Sequence, residues 1–106
     1  MPNWIDVAKV TDFPPNTIRF VTTTDNVSLL ITNIDGKYYA IENICTHDGG
    51  TLSDGHLEND EIVCPRHGAH FCVRDGAVMA PPAYEDVATY LTRIVDDMVQ
   101  VSDERN

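Results

Sequence analysis

Short runs of β-branched and aromatic residues, separated by turn residues, follow one another along the N-terminal half of the chain. Four such runs are typical of β-strands: WIDVA at 4–8, TIRFVTTT at 17–24, VSLLITNI at 27–34 and KYYAIENI at 37–44. Asp25-Asn26 and Asp35-Gly36 separate the last three runs, and both dipeptides favour tight hairpin turns. The pattern therefore predicts four antiparallel strands before residue 44.

The C-terminal half continues the same pattern, with shorter runs. We predict strands in EIVC at 61–64, AHFCV at 69–73, TYLTRIV at 89–95 and MVQVS at 98–102. MAPPA at 79–83 is excluded from the centre of a sheet, because proline has no N–H to donate. Long helical periodicity is lacking. The prediction is an all-β, antiparallel β-sandwich forming a single domain over 1–106, with a loop-rich insertion from about residue 44 to 83.

Composition is that of an ordinary globular protein, since 42% of the 106 residues are hydrophobic and 23% are charged. No apolar run is long enough to span a membrane. The N-terminus, MPNWIDVAKV, lacks the basic start and apolar core of a signal peptide, so a cytoplasmic location is expected.

The charge balance is strongly acidic, with 17 Asp and Glu against 7 Lys and Arg and a formal net charge of −10. Such a surface repels nucleic acid and anionic lipid and attracts a basic protein partner, although it could equally serve only to keep the domain soluble. Five acids and no Lys or Arg lie between residues 48 and 63: Asp48, Asp54, Glu58, Asp60 and Glu61.

Two short segments, CTHDGG at 45–50 and CPRHGAHF at 64–71, each contain a cysteine close to a histidine. Cys45-x-His47 and Cys64-x-x-His67 supply two thiolates and two imidazoles, one of each from each segment. A tetrahedral zinc site could use the same four side chains. The mixed distribution favours a binuclear cluster in which one iron takes both sulfurs and the other takes both nitrogens.

The remaining cysteine and histidines have less specific interpretations. A cytoplasmic protein with three cysteines is not expected to form a disulfide framework. Cys72 is interpreted as a packed thiol, and His56 and His70 as solvent-exposed histidines.

The two motifs together resemble the Rieske family, whose pattern is C-x-H followed by C-x-x-H. LSDG at 52–55, EIVCPRHGAHF at 61–71 and RDG at 74–76 resemble its soluble ferredoxin branch, and APPA at 80–83 is similar to its proline loop. The resemblance implies one 2Fe-2S cluster with the ligands Cys45, His47, Cys64 and His67. It also implies a rim formed by Thr46, Asp48, Gly49, Pro65, Arg66 and Gly68.

Departures from the quinol-oxidising branch indicate a low reduction potential. Gly50 and Arg66 stand where that branch has its disulfide cysteines. Ala69 and Phe71 stand where it has the Ser and Tyr hydroxyls that donate to cluster sulfurs. Without these donors, and with many acids nearby, we expect a potential near the bottom of the Rieske range of about −150 to +300 mV.

The expected function is a one-electron carrier, monomeric and not itself an enzyme, since no catalytic domain follows residue 106. By resemblance it accepts electrons from a flavin-dependent NAD(P)H reductase and delivers them to a terminal ring-hydroxylating oxygenase, both with basic docking patches. Two alternatives stay open: a Rieske-like small subunit of an NADH-dependent nitrite reductase, and a zinc-stabilised interaction module.

Overall fold

The structure is a computed structural model that describes residues 3–46, 49–52, 54–65, 68–81 and 83–106. Strands account for nearly all the regular structure in these residues. They are β1 (Trp4–Lys9), β2 (Ile18–Thr22), β3 (Ser28–Ile34), β4 (Lys37–Glu42), β5 (His56–Glu58), β6 (Glu61–Val63), β7 (His70–Cys72), β8 (Val78–Ala80), β9 (Thr89–Val95) and β10 (Met98–Arg105). A short 3-10 helix, Val10–Asp12, follows β1. Within the described ranges, no helix has the length and apolarity needed to cross a membrane.

The larger sheet has six antiparallel strands in the order β1-β10-β9-β4-β3-β2. Its hairpins form where the turn residues predict them. Asp35 and Gly36 have φ of 53° and 87°, the left-handed conformations that a two-residue turn between β3 and β4 requires. The turn between β9 and β10 is similar, with Asp96 and Asp97 at φ of 50° and 64°. The all-β prediction with antiparallel pairing is therefore confirmed.

The smaller sheet has four strands in the order β5-β6-β7-β8 and lies within the segment predicted as an insertion. Its two outer strands, β5 and β8, were not among the predicted elements, because each has only three residues and little apolar alternation. β8 ends next to Pro81 and occupies an edge, as the exclusion of MAPPA from a central position requires.

Apolar side chains form two cores, one on each face of β3. Leu30 belongs to a core that also contains Ile62 and Phe71 of the smaller sheet. Leu29 and Ile31 point the other way and pack in a second core with buried residues that include Phe13. Because both faces of β3 are covered, its sequence is apolar at consecutive positions instead of alternating. The first core joins the two sheets and extends to the predicted site.

Candidate metal centre

Two loops of equivalent geometry present Cys45 and Cys64. The Cys45 N–H donates to the carbonyl of Gly50 at 2.7 Å, and the Gly49 N–H donates back to the carbonyl of Cys45 at 2.8 Å. In the second loop the Cys64 N–H donates to the carbonyl of Ala69 at 2.7 Å, and the Gly68 N–H donates to the carbonyl of Cys64 at 3.0 Å. The two segments that share a Cys and His motif thus share the same pair of backbone hydrogen bonds.

A glycine at the same place in each loop makes this conformation possible. Gly49 and Gly68 have φ of 75° and 77°, in the left-handed region that side chains with a Cβ rarely adopt. An added Cβ would meet nothing within 4 Å at either position, so the requirement is for the backbone angle and not for space.

The same turn occurs a third time, at Cys72. Its N–H donates to the carbonyl of Ala77 and the Gly76 N–H donates to the carbonyl of Cys72, both at 2.8 Å. Cys72, however, belongs to neither core cluster. The turn alone therefore does not define a metal site. What distinguishes Cys45 and Cys64 is that both are almost completely buried and lie in the same core cluster.

A buried asparagine, Asn43, supports the first loop and was not among the predicted site residues. The Asn43 side-chain oxygen accepts the N–H of Leu52 at 2.8 Å, and its side-chain nitrogen donates to Ser28 Oγ at 3.1 Å. Asn43 thereby fastens both ends of the loop to β3. Asn43 lies within the run predicted as a strand at 37–44, but the strand ends at Glu42. A polar residue near the end of an apolar run was the available signal, and asparagine is also common in ordinary turns.

The segment 83–87 packs in the same core as the two cysteines. Ala83 and Val87 are buried in the core that contains Cys45 and Cys64. The Thr46 hydroxyl donates to the carbonyl of Glu85 at 2.6 Å, which connects this segment to the first loop. The resemblance of 80–83 to a covering proline loop agrees with this packing, although Pro82 lies outside the described residues.

Of the four predicted ligands, Cys45 and Cys64 lie in the described part of the chain. His47 and His67 lie outside it, as do the rim residues Asp48 and Arg66. The donors that are described fit a metal–thiolate centre, because Cys45 and Cys64 pack in one core and no disulfide joins them. Thiolates are the ligands that iron–sulfur clusters require.

The two positions linked to the potential are both buried. Ala69 and Phe71 are each 0% exposed and lie in the core cluster with the two cysteines. Neither side chain carries a hydroxyl, so neither donates a hydrogen bond to a sulfur held there.

Of the predictions for His56, His70 and Cys72, the one for His70 was wrong. His70 is not solvent-exposed: it is part-buried, and its Nδ1 lies 2.9 Å from Glu61 Oε1, because the two residues are diagonal neighbours on β7 and β6. His56 is exposed, with 63% of its side-chain surface accessible, as predicted. Cys72 is partly buried, and this burial raises the pKa of its thiol.

Two antiparallel sheets share one core, and this core contains two buried cysteines, a residue type that ligates metals. Comparison with known proteins gives the family. The model of the Rieske [2Fe-2S] domain matches residues 3–91, and the chain belongs to this family. The predicted cofactor, one 2Fe-2S cluster, is thereby confirmed.

The relatives are similar over almost their whole length. The chain is 34% identical over 102 residues to the ferredoxin component of the naphthalene 1,2-dioxygenase/salicylate 5-hydroxylase systems of a Ralstonia species, covering 96% of this chain and 97% of the relative. A chain in the solved complex of reduced oxygenase and oxidized ferredoxin in carbazole 1,9a-dioxygenase superposes with a TM-score of 0.92 at 31% identity, covering 97% and 95%. The Sphingomonas yanoikuyae B1 ferredoxin superposes with a TM-score of 0.86 at 28% identity, covering 96% and 100%.

Proposed function

We propose that the protein is the ferredoxin component of a ring-hydroxylating dioxygenase system. It carries single electrons from a flavin-dependent NAD(P)H reductase to a terminal oxygenase and is not itself an enzyme. The observation that carries this proposal is the pair of buried cysteines in equivalent loops, within a chain that matches a dioxygenase ferredoxin component over 96% of its length. The ferredoxin relatives favour this function over a nitrite reductase subunit or a zinc-stabilised module.

Within this function, Cys45 and Cys64 hold one iron of the cluster, and His47 and His67 hold the other. When bound, the cluster supplies a site that takes up and releases one electron. The chain's own contribution is positional. The loop hydrogen bonds orient the cysteines, and the buried side chains around them exclude water. By family resemblance, the electron leaves through His47 and His67.

The low reduction potential is part of the proposal. Reduction adds one negative charge to a cluster that is formally neutral when oxidised with its ligands. Buried Ala69 and Phe71 offer no hydroxyl to stabilise that charge, and the chain's net charge of −10 opposes it. A carrier of this kind suits electrons that come from a nicotinamide through a flavin.

The acidic surface favours basic docking patches on both partners. Among the described residues, four arginines make contacts within the chain: Arg19 with the Asp12 carbonyl, Arg74 with Asp60, Arg93 with Gln100, and Arg105 with Glu42. These contacts hold cationic groups against the molecule's own surface. A net negative surface steers a basic partner at long range, and salt screens this attraction.

The remaining expectations are proposals of the same kind. We propose one Rieske domain over residues 1–106, with its cluster-binding part at about 44–83, acting as a monomer in the cytoplasm. Gel filtration with light scattering of the holo-protein tests the monomer, with a mass near the 11.8 kDa of the chain expected.

The first experiment tests the ligands. The purified protein is assayed for iron, zinc and acid-labile sulfide, and its dithionite-reduced form is examined by EPR. Two irons and two sulfides per chain with a rhombic signal of low average g value support the proposal, whereas zinc without sulfide contradicts it. Cys45→Ala and Cys64→Ala should lose the signal, and Cys72→Ala is the matched control because Cys72 occupies the same turn.

The second experiment tests the partners. The holo-protein is mixed with a flavin reductase and NADH, and the rate of cluster reduction is followed at increasing NaCl concentration. Delivery of electrons to a terminal oxygenase is then measured as product formed. We expect rates that fall as salt rises. Rates that do not depend on salt would contradict the steering proposal while leaving the carrier function intact.

A further inference from the structure

The contact between Thr46 and Glu85 joins two parts of the site that are 39 residues apart in the chain. We propose that Thr46 is a positioning residue, whose hydroxyl holds the segment 83–87 against the first cysteine loop and so keeps water away from the cluster. The inference rests on the family's cofactor and on the ligand assignment, and it does not depend on which partners the protein serves.

The hydrogen bond lies where the covering segment enters the core. Thr46 directly follows Cys45, and its Oγ1 is 2.6 Å from the carbonyl oxygen of Glu85. On either side of Glu85, Ala83 and Val87 are 3% and 5% exposed. Tyr84, between them, is 84% exposed. The segment thus has inward and outward residues, and the Thr46 hydroxyl binds it between its two buried side chains.

Other contacts fasten the same segment to a different part of the molecule. An Asp86 side-chain oxygen accepts the N–H of Val78 on β8 at 2.9 Å, and the Val87 N–H donates to the carbonyl of Gly76 at 2.9 Å. Both contacts hold the segment to the smaller sheet and its turn. Loss of the Thr46 bond would leave these contacts in place, together with the bond from the Glu42 N–H to the carbonyl of Ala88 at 2.9 Å, and would release the segment from the first cysteine loop at Glu85.

Water can reach this side of the segment. A cavity of ≈ 230 Å³ is lined by Thr46, Glu85 and Arg105, among other residues. It is separate from a cavity of ≈ 260 Å³ that lies between β4 and β9. Thr46 therefore lines an open polar cavity and directly follows Cys45, which is buried in the core. We expect the loss of its hydrogen bond to let water from this cavity reach further toward Cys45.

Entry of water has a predictable effect on the potential. The carried electron adds one negative charge to the site, and water stabilises a charge better than apolar side chains do. A loosened segment should therefore raise the reduction potential. It should also speed the loss of iron to a chelator, because the sulfur ligands become accessible.

Three variants of the holo-protein separate this role from a general loss of stability. Thr46→Val keeps the shape of the side chain and removes the donor, whereas Thr46→Ser keeps the donor. Thr92→Val is the matched control, because the Thr92 hydroxyl also donates to a backbone carbonyl, that of Tyr38, at 2.6 Å, but within the larger sheet. Each variant is examined by hydrogen exchange with mass spectrometry, by voltammetry and by cluster release to a chelator.

We expect the amides of residues 83–87 to exchange about 2- to 13-fold faster in Thr46→Val, as the net contribution of one hydrogen bond predicts. Its potential should rise and its cluster should be released sooner. Thr46→Ser should behave like the unmodified protein, and Thr92→Val should leave all three readouts at the site unchanged. Thr46→Ala provides a second donor-free variant if Thr46→Val does not assemble a cluster.

Two results would overturn the proposal. One is a donor-free variant with unchanged exchange at 83–87 and unchanged potential. The other is faster exchange with no change in potential, since the segment would then move without exposing the cluster to water. No reductase or oxygenase is needed, so either result is independent of the proposed carrier function.

Discussion

Replacement of Ala69 by serine tests whether a missing hydroxyl sets the potential. Ala69 is 0% exposed, and its carbonyl oxygen accepts the N–H of Cys64 at 2.7 Å. The backbone at this position is therefore tied to the ligand loop, and a serine Oγ would be introduced within the core that holds both cysteines. By family resemblance, a serine here donates to a cluster sulfur.

The magnitude follows from the energy of a hydrogen bond to a charged acceptor. Such a bond contributes about 1.5–3 kcal/mol. For a one-electron couple, about 1.4 kcal/mol corresponds to about 59 mV. The full bond would thus raise the potential by about 65–130 mV. Because the oxidised cluster also accepts the bond, only the difference between the two states counts, and we expect a rise in the lower half of that range or below it.

The assay is protein-film voltammetry of the reconstituted Ala69→Ser protein beside the unmodified one. Ala40→Ser is the control, because Ala40 is also buried, at 2% exposed, but belongs to the second core, which does not contain the cysteines. An unchanged or lowered potential in Ala69→Ser would refute the reasoning, as would an equal rise in the control. A buried hydroxyl without an acceptor would also lower the free energy of unfolding by about 1–3 kcal/mol, which urea denaturation measures.

Three further predictions concern the fold and the third cysteine. Gly76→Ala places a Cβ 2.2 Å from the Val87 carbonyl oxygen, so we expect urea denaturation to show a loss of about 3 kcal/mol or more. Gly36→Ala, which shares a positive φ but meets nothing within 4 Å, should lose only about 1–2 kcal/mol, and equal losses would contradict the clash. Phe71→Ala removes a fully buried ring from the core between the sheets and should lower the free energy of unfolding by about 3–5 kcal/mol in the same measurement. A loss below about 1 kcal/mol would contradict this prediction. Because burial raises the pKa of the Cys72 thiol, its thiolate forms only at higher pH, and iodoacetamide should modify it at higher pH in the folded protein than in the urea-unfolded chain; coinciding pH profiles would contradict this.

The strands and turns of the larger sheet could be predicted from sequence because they depend on neighbouring residues. Alternation, β-branched residues and the Asp35-Gly36 turn act within a few positions, and the predicted hairpins are observed. The short strands β5 and β8 could not be predicted, since three residues carry too little pattern. They form because β6 and β7 offer them hydrogen-bonding edges.

The candidate site divides in the same way. The sequence by itself determined the types of ligand residue and their spacing, the acidic net charge, and the absence of hydroxyls at Ala69 and Phe71. The assignment of His47 and His67 as ligands stays a prediction. Only the tertiary structure decided that Cys45 and Cys64 lie in one core, that His70 is paired with Glu61, and that Thr46 binds a segment 39 residues away. Contacts of this kind depend on how distant strands pack and which groups are buried together, and no local pattern encodes that outcome.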